Sequence, residues 1–129
     1  MANRRRQETP QVSFPHRGEI YLVEFDPARG HEIQKTRPAL VIQNDLGNRY
    51  SSITIVAAIT SRIAAKPYPV EVVVEPSSAS GLLVRSSIRL DQIRSVDKSR
   101  LVKRLGRLDA ATMVLVDQAL KISVGLVEI

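Results

Sequence analysis

His31, Glu32, Lys35 and Arg37 crowd into the eight residues before an apolar run, Ala39-Leu40-Val41-Ile42, that reads as a buried β-strand. The flanking stretch is GHEIQKTRPALVIQND, Gly30 to Asp45. An arginine held at a strand entrance beside an acid and an imidazole suggests a site rather than a solvated face. Pro38 biases Arg37 towards extended backbone and so restrains its direction. Other polar residues gather at strand ends. Thr60 and Ser61 stand at the end of the segment ITIVAAIT and just after it, and Arg89, Asp91 and Gln92 finish LVRSSIRLDQI with Arg94 next in line. In an antiparallel sheet the start of one strand meets the end of its neighbour. If the second and third strands pair as a hairpin, Arg37 and Thr60 come together.

Cleavage of an RNA phosphodiester through its own 2′-hydroxyl would use such a set. It needs a base for that hydroxyl, charge stabilisation for the phosphorane and an acid for the departing 5′-oxygen; none strictly requires a metal. The planar guanidinium fork of Arg37 matches two phosphate oxygens at once but cannot act as a base. The hydroxyl of Thr60 can donate to the same phosphate. Proton transfer then falls to Glu32, Asp91 or His31. Histidine, with an ordinary pKa of about 6.5, suits neutral pH best, whereas a carboxylate would need its value raised by burial. Plainer readings stand beside these. Arg37 could pair with Glu32 or Glu19 on the surface, Thr60 and Ser61 could merely end a strand, Asp91 could be a turn or cap residue, and His31 could be an exposed loop residue.

The elements that must hold these residues are mostly strands. GEIYLVEFDP alternates between two faces and stops at Asp26-Pro27; a loop of about ten residues, Asp26 to Thr36, follows and is long for a compact domain. The second strand is expected over Pro38 to Asn44 and the third over ITIVAAIT, with NDLGNRYSS as a turn-rich connection between them. A fourth strand is expected over Val70 to Val74 and a fifth over LVRSSIRLDQI. Asp97 can cap a short helical turn, KSRLV. Asp109 caps an amphipathic helix whose stripe is Met113, Val116, Leu120, Val124 and Val127. That stripe can cover the sheet or help form a dimer. Short strands closed by one C-terminal helix predict a mainly β fold, a small, strongly bent antiparallel sheet or barrel.

Composition agrees. A chain of 129 residues makes one domain, expected over residues 17–129, with 1–16 as a flexible arm carrying Arg4, Arg5 and Arg6. The net charge of +6 favours a polyanionic partner, above all nucleic acid. Apolar residues are 43% and aromatics only 4%, so Val, Ile and Leu must build the core. The chain has no cysteine, and its two histidines lack metal-ligand spacing. It has no G-x-G-x-x-G, P-loop or G-x-S-x-G motif, so neither a metal nor a cofactor is expected. No apolar run approaches the roughly 18 residues of a membrane span, and MANRRRQETPQ is not a secretory signal, so a cytoplasmic protein is expected.

The blocks RGEIYLVEFDPARGHEIQKTRPALVIQND, IVAAIT and IRLDQIRSVDKSRL, in that order, resemble the MazF/PemK family of toxin endoribonucleases from type II toxin–antitoxin pairs. The resemblance runs from about Arg17 to the C-terminus. It implies an SH3-like barrel with an added C-terminal helix, of the kind shared by CcdB, MazF and PemK, and a homodimer with single-stranded RNA at its interface. It implies metal-independent cleavage at short motifs, leaving a 2′,3′-cyclic phosphate and a 5′-hydroxyl, and a cognate acidic MazE-like antitoxin. By the same resemblance Arg37 and Glu32 are catalytic and Thr60 touches the phosphate. His31, Arg89 and Asp91 match the acid–base and stabilising set of the PemK/Kid branch, so the base is left open. Gln92 and Asn44 match RNA contacts, and Ser61, Arg94 and Lys35 are further candidates. The family block's usual glutamine is Ile33 here, with Gln34 one place later. Two alternatives share the barrel: a CcdB-like gyrase inhibitor, whose aromatic-Gly-Ile ending is missing from GLVEI, and a non-catalytic RNA-binding module.

Overall fold

A computed structural model of the chain describes residues 14–26 and 35–129. Among these residues, six strands and two α-helices follow in the order β1 (Glu19–Asp26), β2 (Lys35–Val41), α1 (Asp45–Tyr50), β3 (Ile53–Thr60), β4 (Glu71–Val74), β5 (Ser86–Asp97), a 3-10 turn (Lys98–Arg100), β6 (Leu101–Arg107) and α2 (Ala110–Ser123). All pairings are antiparallel, in the order β4-β5-β3-β2-β1-β6. The mainly β fold with a C-terminal helix is as expected, but the sheet is not closed by strand pairing. Its two ends meet through the segment after β4, where the Arg107 amide donates to the Ala79 carbonyl at 2.9 Å. Two glycines permit that approach. A Cβ on Gly81 (φ +76°) would lie 2.2 Å from the Leu105 carbonyl oxygen, and one on Gly106 the same distance from that of Ala79.

The run Ala39-Leu40-Val41-Ile42 is continuous because β2 is buried on both faces. Leu40 and Ile42 join Ile20, Ala57, Ile88 and Leu90 in the main core, which α2 covers with Val116 and Ala119. Ala39 and Val41 join Val23, Val56 and Val96 in a smaller cluster on the other face, fringed by Tyr21, Phe25 and Leu101. Helix α2 starts as expected, with the Asp109 carboxylate accepting from the Thr112 amide at 2.7 Å. It stops in a Schellman turn: the Leu126 amide reaches the Lys121 carbonyl at 2.8 Å, and Gly125 takes φ +79°. Val124 and Val127, the last members of the expected stripe, therefore lie beyond the helix and are exposed.

Four expectations change. The connection NDLGNRYSS holds α1, capped by the Asn44 side chain on the Gly47 amide. Its turn-forming residues are overridden by Asn48, which is fully buried and hydrogen-bonded to Gln43, Asp45 and Thr54. Strand β2 begins at Lys35, so Arg37 lies inside it rather than before it, and it ends at Val41 rather than Asn44. Strand β5 runs over Ser86–Asp97, starting and finishing later than expected. Strand β6 was not expected at all. Only the KSR part of KSRLV is helical, with the Asp97 carboxylate accepting from the Ser99 amide, and Leu101 starts the new strand. Within the expected arm, the Phe14 ring stacks on that of His16, and Pro15 is buried.

Arg17 locks the frame that carries the site. Its backbone amide donates to Asp45, its Nε to the Ile42 carbonyl at 2.8 Å, and its Nη2 to Asp117 at 2.7 Å. One residue thus joins the end of β2, α1 and α2. No helix among the described residues is long and apolar enough to cross a membrane.

Candidate active site

Strands β2 and β3 pair as a hairpin-like neighbour pair, with Ala39 opposite Ala58. Continuing that register by two residues sets Arg37 opposite Thr60. Both residues line one cleft of about 470 Å³, together with Ser61, Arg62 and apolar side chains that include Leu22, Leu83 and Val84. Arg37 also lines a second cleft of about 430 Å³, with Phe25, Ala58, Asp91, Gln92, Ile93 and Arg94. Among the described residues it is the one shared by the two. The guanidinium of a central strand thus marks the divide between a hydroxyl-bearing slot and a charged one.

The second cleft owes its polar wall to an irregularity in β5. Ala57 faces Ile93, yet the next β3 residue, Ala58, faces Arg89, so Leu90, Asp91 and Gln92 pass within a single step of the partner strand. Such a bulge bends a strand and re-aims its side chains. Leu90 turns into the core while Asp91 and Gln92 are exposed. Arg94 lies with its guanidinium carbon 5.1 Å from the centre of the Phe25 ring, a cation–π contact that gives the cleft an aromatic floor.

Arg89 and Asp91 form a bidentate pair, Nε to Oδ1 at 3.0 Å and Nη2 to Oδ2 at 2.8 Å. The hydrogen bonds from Arg89 hold the Asp91 carboxyl below the usual carboxylate range, while the same bonds raise Arg89 above its own ordinary value. Asp91 is therefore a fixed anion with its lone pairs engaged, a poor proton acceptor at neutral pH. The Thr60 hydroxyl accepts from the Arg62 amide at 3.1 Å, which turns its own proton elsewhere, available to a ligand.

Of the residues expected at the site, Arg37, Thr60, Ser61, Asp91, Gln92 and Arg94 line these two clefts, and Arg89 lines neither but is bonded to Asp91 in the wall of the second. Asn44 does not join them. It caps α1 at the opposite end of β2, roughly 20 Å of extended chain from Arg37. His31 and Glu32 lie outside the described residues, and of Lys35 only the backbone, the first residue of β2, is described. The plain reading of Arg37 as an ion-pair partner of Glu19 fails. The Glu19 carboxylate is bonded to Arg104 at 2.6 Å, and Arg37 lies opposite Val23, four residues further along β1. Phe25 and Glu71 were not singled out from sequence. Both sit in ordinary alternating strands, and only three-dimensional pairing brings them to Arg94 and Arg89.

The chain is similar to known proteins in both sequence and fold. A family model described as "PemK-like, MazF-like toxin of type II toxin-antitoxin system" matches residues 16–124. The endoribonuclease EndoA of Bacillus subtilis (strain 168) is 43% identical over 112 residues, covering 87% of this chain and 96% of that protein. Endoribonuclease MazF of Staphylococcus epidermidis is 44% identical over 110 residues, covering 85% and 91%. Among solved structures, a MazE-MazF crystal structure from Deinococcus radiodurans superposes with a TM-score of 0.71 at 31% identity, over 88% of this chain and 97% of that one. The chain belongs to the PemK-like, MazF-like toxin family of type II toxin–antitoxin systems.

Proposed function

We propose that the chain is the toxin of such a pair, a cytoplasmic endoribonuclease that cuts single-stranded RNA at a short motif without a metal ion. The observation that supports this best is Arg37, set on a rigid central strand at the meeting of two clefts. A scissile phosphate lying there receives two guanidinium donors from Arg37 and the hydroxyl of Thr60. These donors stabilise the extra charge of the phosphorane as the 2′-oxygen attacks. The P–O5′ bond breaks, leaving a 2′,3′-cyclic phosphate and a 5′-hydroxyl. Asp91, committed to Arg89, holds that guanidinium beside the phosphate rather than taking the proton. Glu32 or His31 takes the 2′-hydroxyl proton, and the other, as the acid, gives one to the departing 5′-oxygen. Gln92, Arg94 and Ser61 line the path of the strand, and Phe25 offers a stacking surface for a base. Asn44 caps α1 through its Oδ1, away from these two clefts.

The chain works as a homodimer and is silenced by a cognate acidic antitoxin, a partner fitted to its net charge of +6. Incubating purified protein with a mixed RNA pool and sequencing the new 5′ ends tests the reading. Cuts should share one motif, end in 5′-hydroxyls and survive EDTA. Arg37→Ala should leave the fold intact and lower cleavage about a thousandfold. RNA left uncut by wild type, or cleavage abolished by EDTA, overturns the assignment.

A further inference from the structure

The Glu71 side chain, at the first position of β4, is only 2% exposed and lines neither cleft. A carboxylate removed from water to this degree requires fixed partners. It has them on three sides. The Ser87 hydroxyl donates to Oε1 at 2.9 Å, and the Tyr68 amide donates to Oε2 at 3.1 Å. Glu71 also lies directly across the β4–β5 ladder from Arg89, whose Nε is 3.9 Å from Oε1. Arg89 is therefore held between two carboxylates, Glu71 behind it and Asp91 in front. Through the Tyr68 amide the same carboxylate fastens the far end of the 61–70 segment, whose near end carries Ser61 and Arg62 into the Thr60 cleft.

We propose, resting on the ribonuclease reading, that Glu71 is a positioning residue. It fixes Arg89, and through it Asp91, at the wall of one cleft, and it anchors the segment that walls the other. Glu71 touches no substrate. Its removal leaves RNA able to bind but lets the guanidinium of Arg89 drift from the phosphate.

The test uses the full chain and a labelled single-stranded RNA carrying the mapped cleavage motif, read by single-turnover cleavage. Affinity is read separately on the same RNA with a 2′-deoxy nucleotide at the cut. Glu71→Gln, which keeps the size and removes the charge, should slow single-turnover cleavage about tenfold to a hundredfold. Affinity for the uncleavable RNA should change less than about threefold, because the lost interaction acts on the reacting geometry. Combined with Arg89→Ala, the loss should be clearly less than the product of the two single losses, because the part that acts through Arg89 is already gone and only the part that acts through the 61–70 segment remains. A cleavage rate within twofold of wild type, fully additive losses, or a loss confined to affinity overturns the proposal. If Glu71→Gln does not fold, Ser87→Ala removes a donor from the same carboxylate and must show the same non-additive loss; its absence overturns the proposal equally. Wild-type protein that leaves RNA intact overturns the ribonuclease reading itself, which the 5′-end mapping reveals before any variant is made.

Discussion

Replacing Asn48 by Ala isolates the network that makes a helix out of a turn-like sequence. The Asn48 Oδ1 accepts from the Thr54 hydroxyl at 2.7 Å and from the Gln43 amide at 3.0 Å, and its Nδ2 donates to the Gln43 carbonyl at 2.9 Å. In the variant, Thr54, itself fully buried, keeps a hydroxyl with no acceptor, and the half-buried Gln43 carbonyl loses its donor. The Gln43 amide retains the Ile53 carbonyl, and the Asn48 carbonyl keeps Lys98, so neither is counted. Two orphaned groups cost about 1–2 kcal/mol each, and the better helix propensity of Ala returns about 0.5 kcal/mol. The expected net loss is about 2–3 kcal/mol, or roughly 10 °C in Tm for a domain of this size. Urea unfolding followed by far-UV circular dichroism measures it. The partner variant Thr54→Val supplies the control. Since removing both partners leaves less unsatisfied, the double variant should be about 1 kcal/mol more stable than the two single losses predict. A loss under 1 kcal/mol for Asn48→Ala, or strict additivity, refutes the claim that this network holds α1.

Other consequences are as direct. Arg37→Lys keeps the charge but loses the planar fork, so single-turnover cleavage should fall about a hundredfold in a protein of unchanged Tm. Asp91→Asn should destabilise the fold at neutral pH and have little effect in acid. Its native carboxyl titrates below the usual range because Arg89 bonds it, so its contribution is present above the ordinary carboxylate pKa and lost as pH falls through the lowered native value. Urea melts of variant and wild type at pH 7 and near pH 2 read this out, and a gap that does not narrow in acid counts against the pairing. Gly81→Ala drives a methyl group into the Leu105 carbonyl from a backbone at φ +76°, and should cost roughly 2–4 kcal/mol by the same melts.

The sequence was readable where one physical rule dominated. Alternation and apolar runs located β1 to β5, and β3 fell on ITIVAAIT to the residue, because a core strand admits little else. Asp97 and Asp109 announced their caps. Strand β6 was hidden because it lies at an edge. Lys103 and Arg104 are exposed charged residues on the outer strand of the described sheet, and the spacing of Leu101 and Leu105 imitates a helix. Helix α1 was hidden because its stability comes from a buried polar network rather than from propensity. At the site, Arg37 and Thr60 were legible as strand-end residues that pairing would join. The bulge in β5, the stacking of Arg94 on Phe25 and the carboxylate behind Arg89 were not, since each depends on which strands are neighbours.

That division has a physical reason. The groups assigned to the phosphate stand on strands whose direction packing fixes. Val23, opposite Arg37, and Ala39, two residues along on the same face, are fully buried. A guanidinium rooted in such a strand has its backbone fixed before any ligand arrives, which is the condition for electrostatic stabilisation without reorganisation. Arg89 has less support, because β4, its outer neighbour, is a four-residue edge strand. A short edge strand cannot by itself hold a charged side chain to within a fraction of an ångström. A buried acid in its first position, bonded both to the preceding loop at Tyr68 and to β5 at Ser87 and Arg89, supplies the missing restraint.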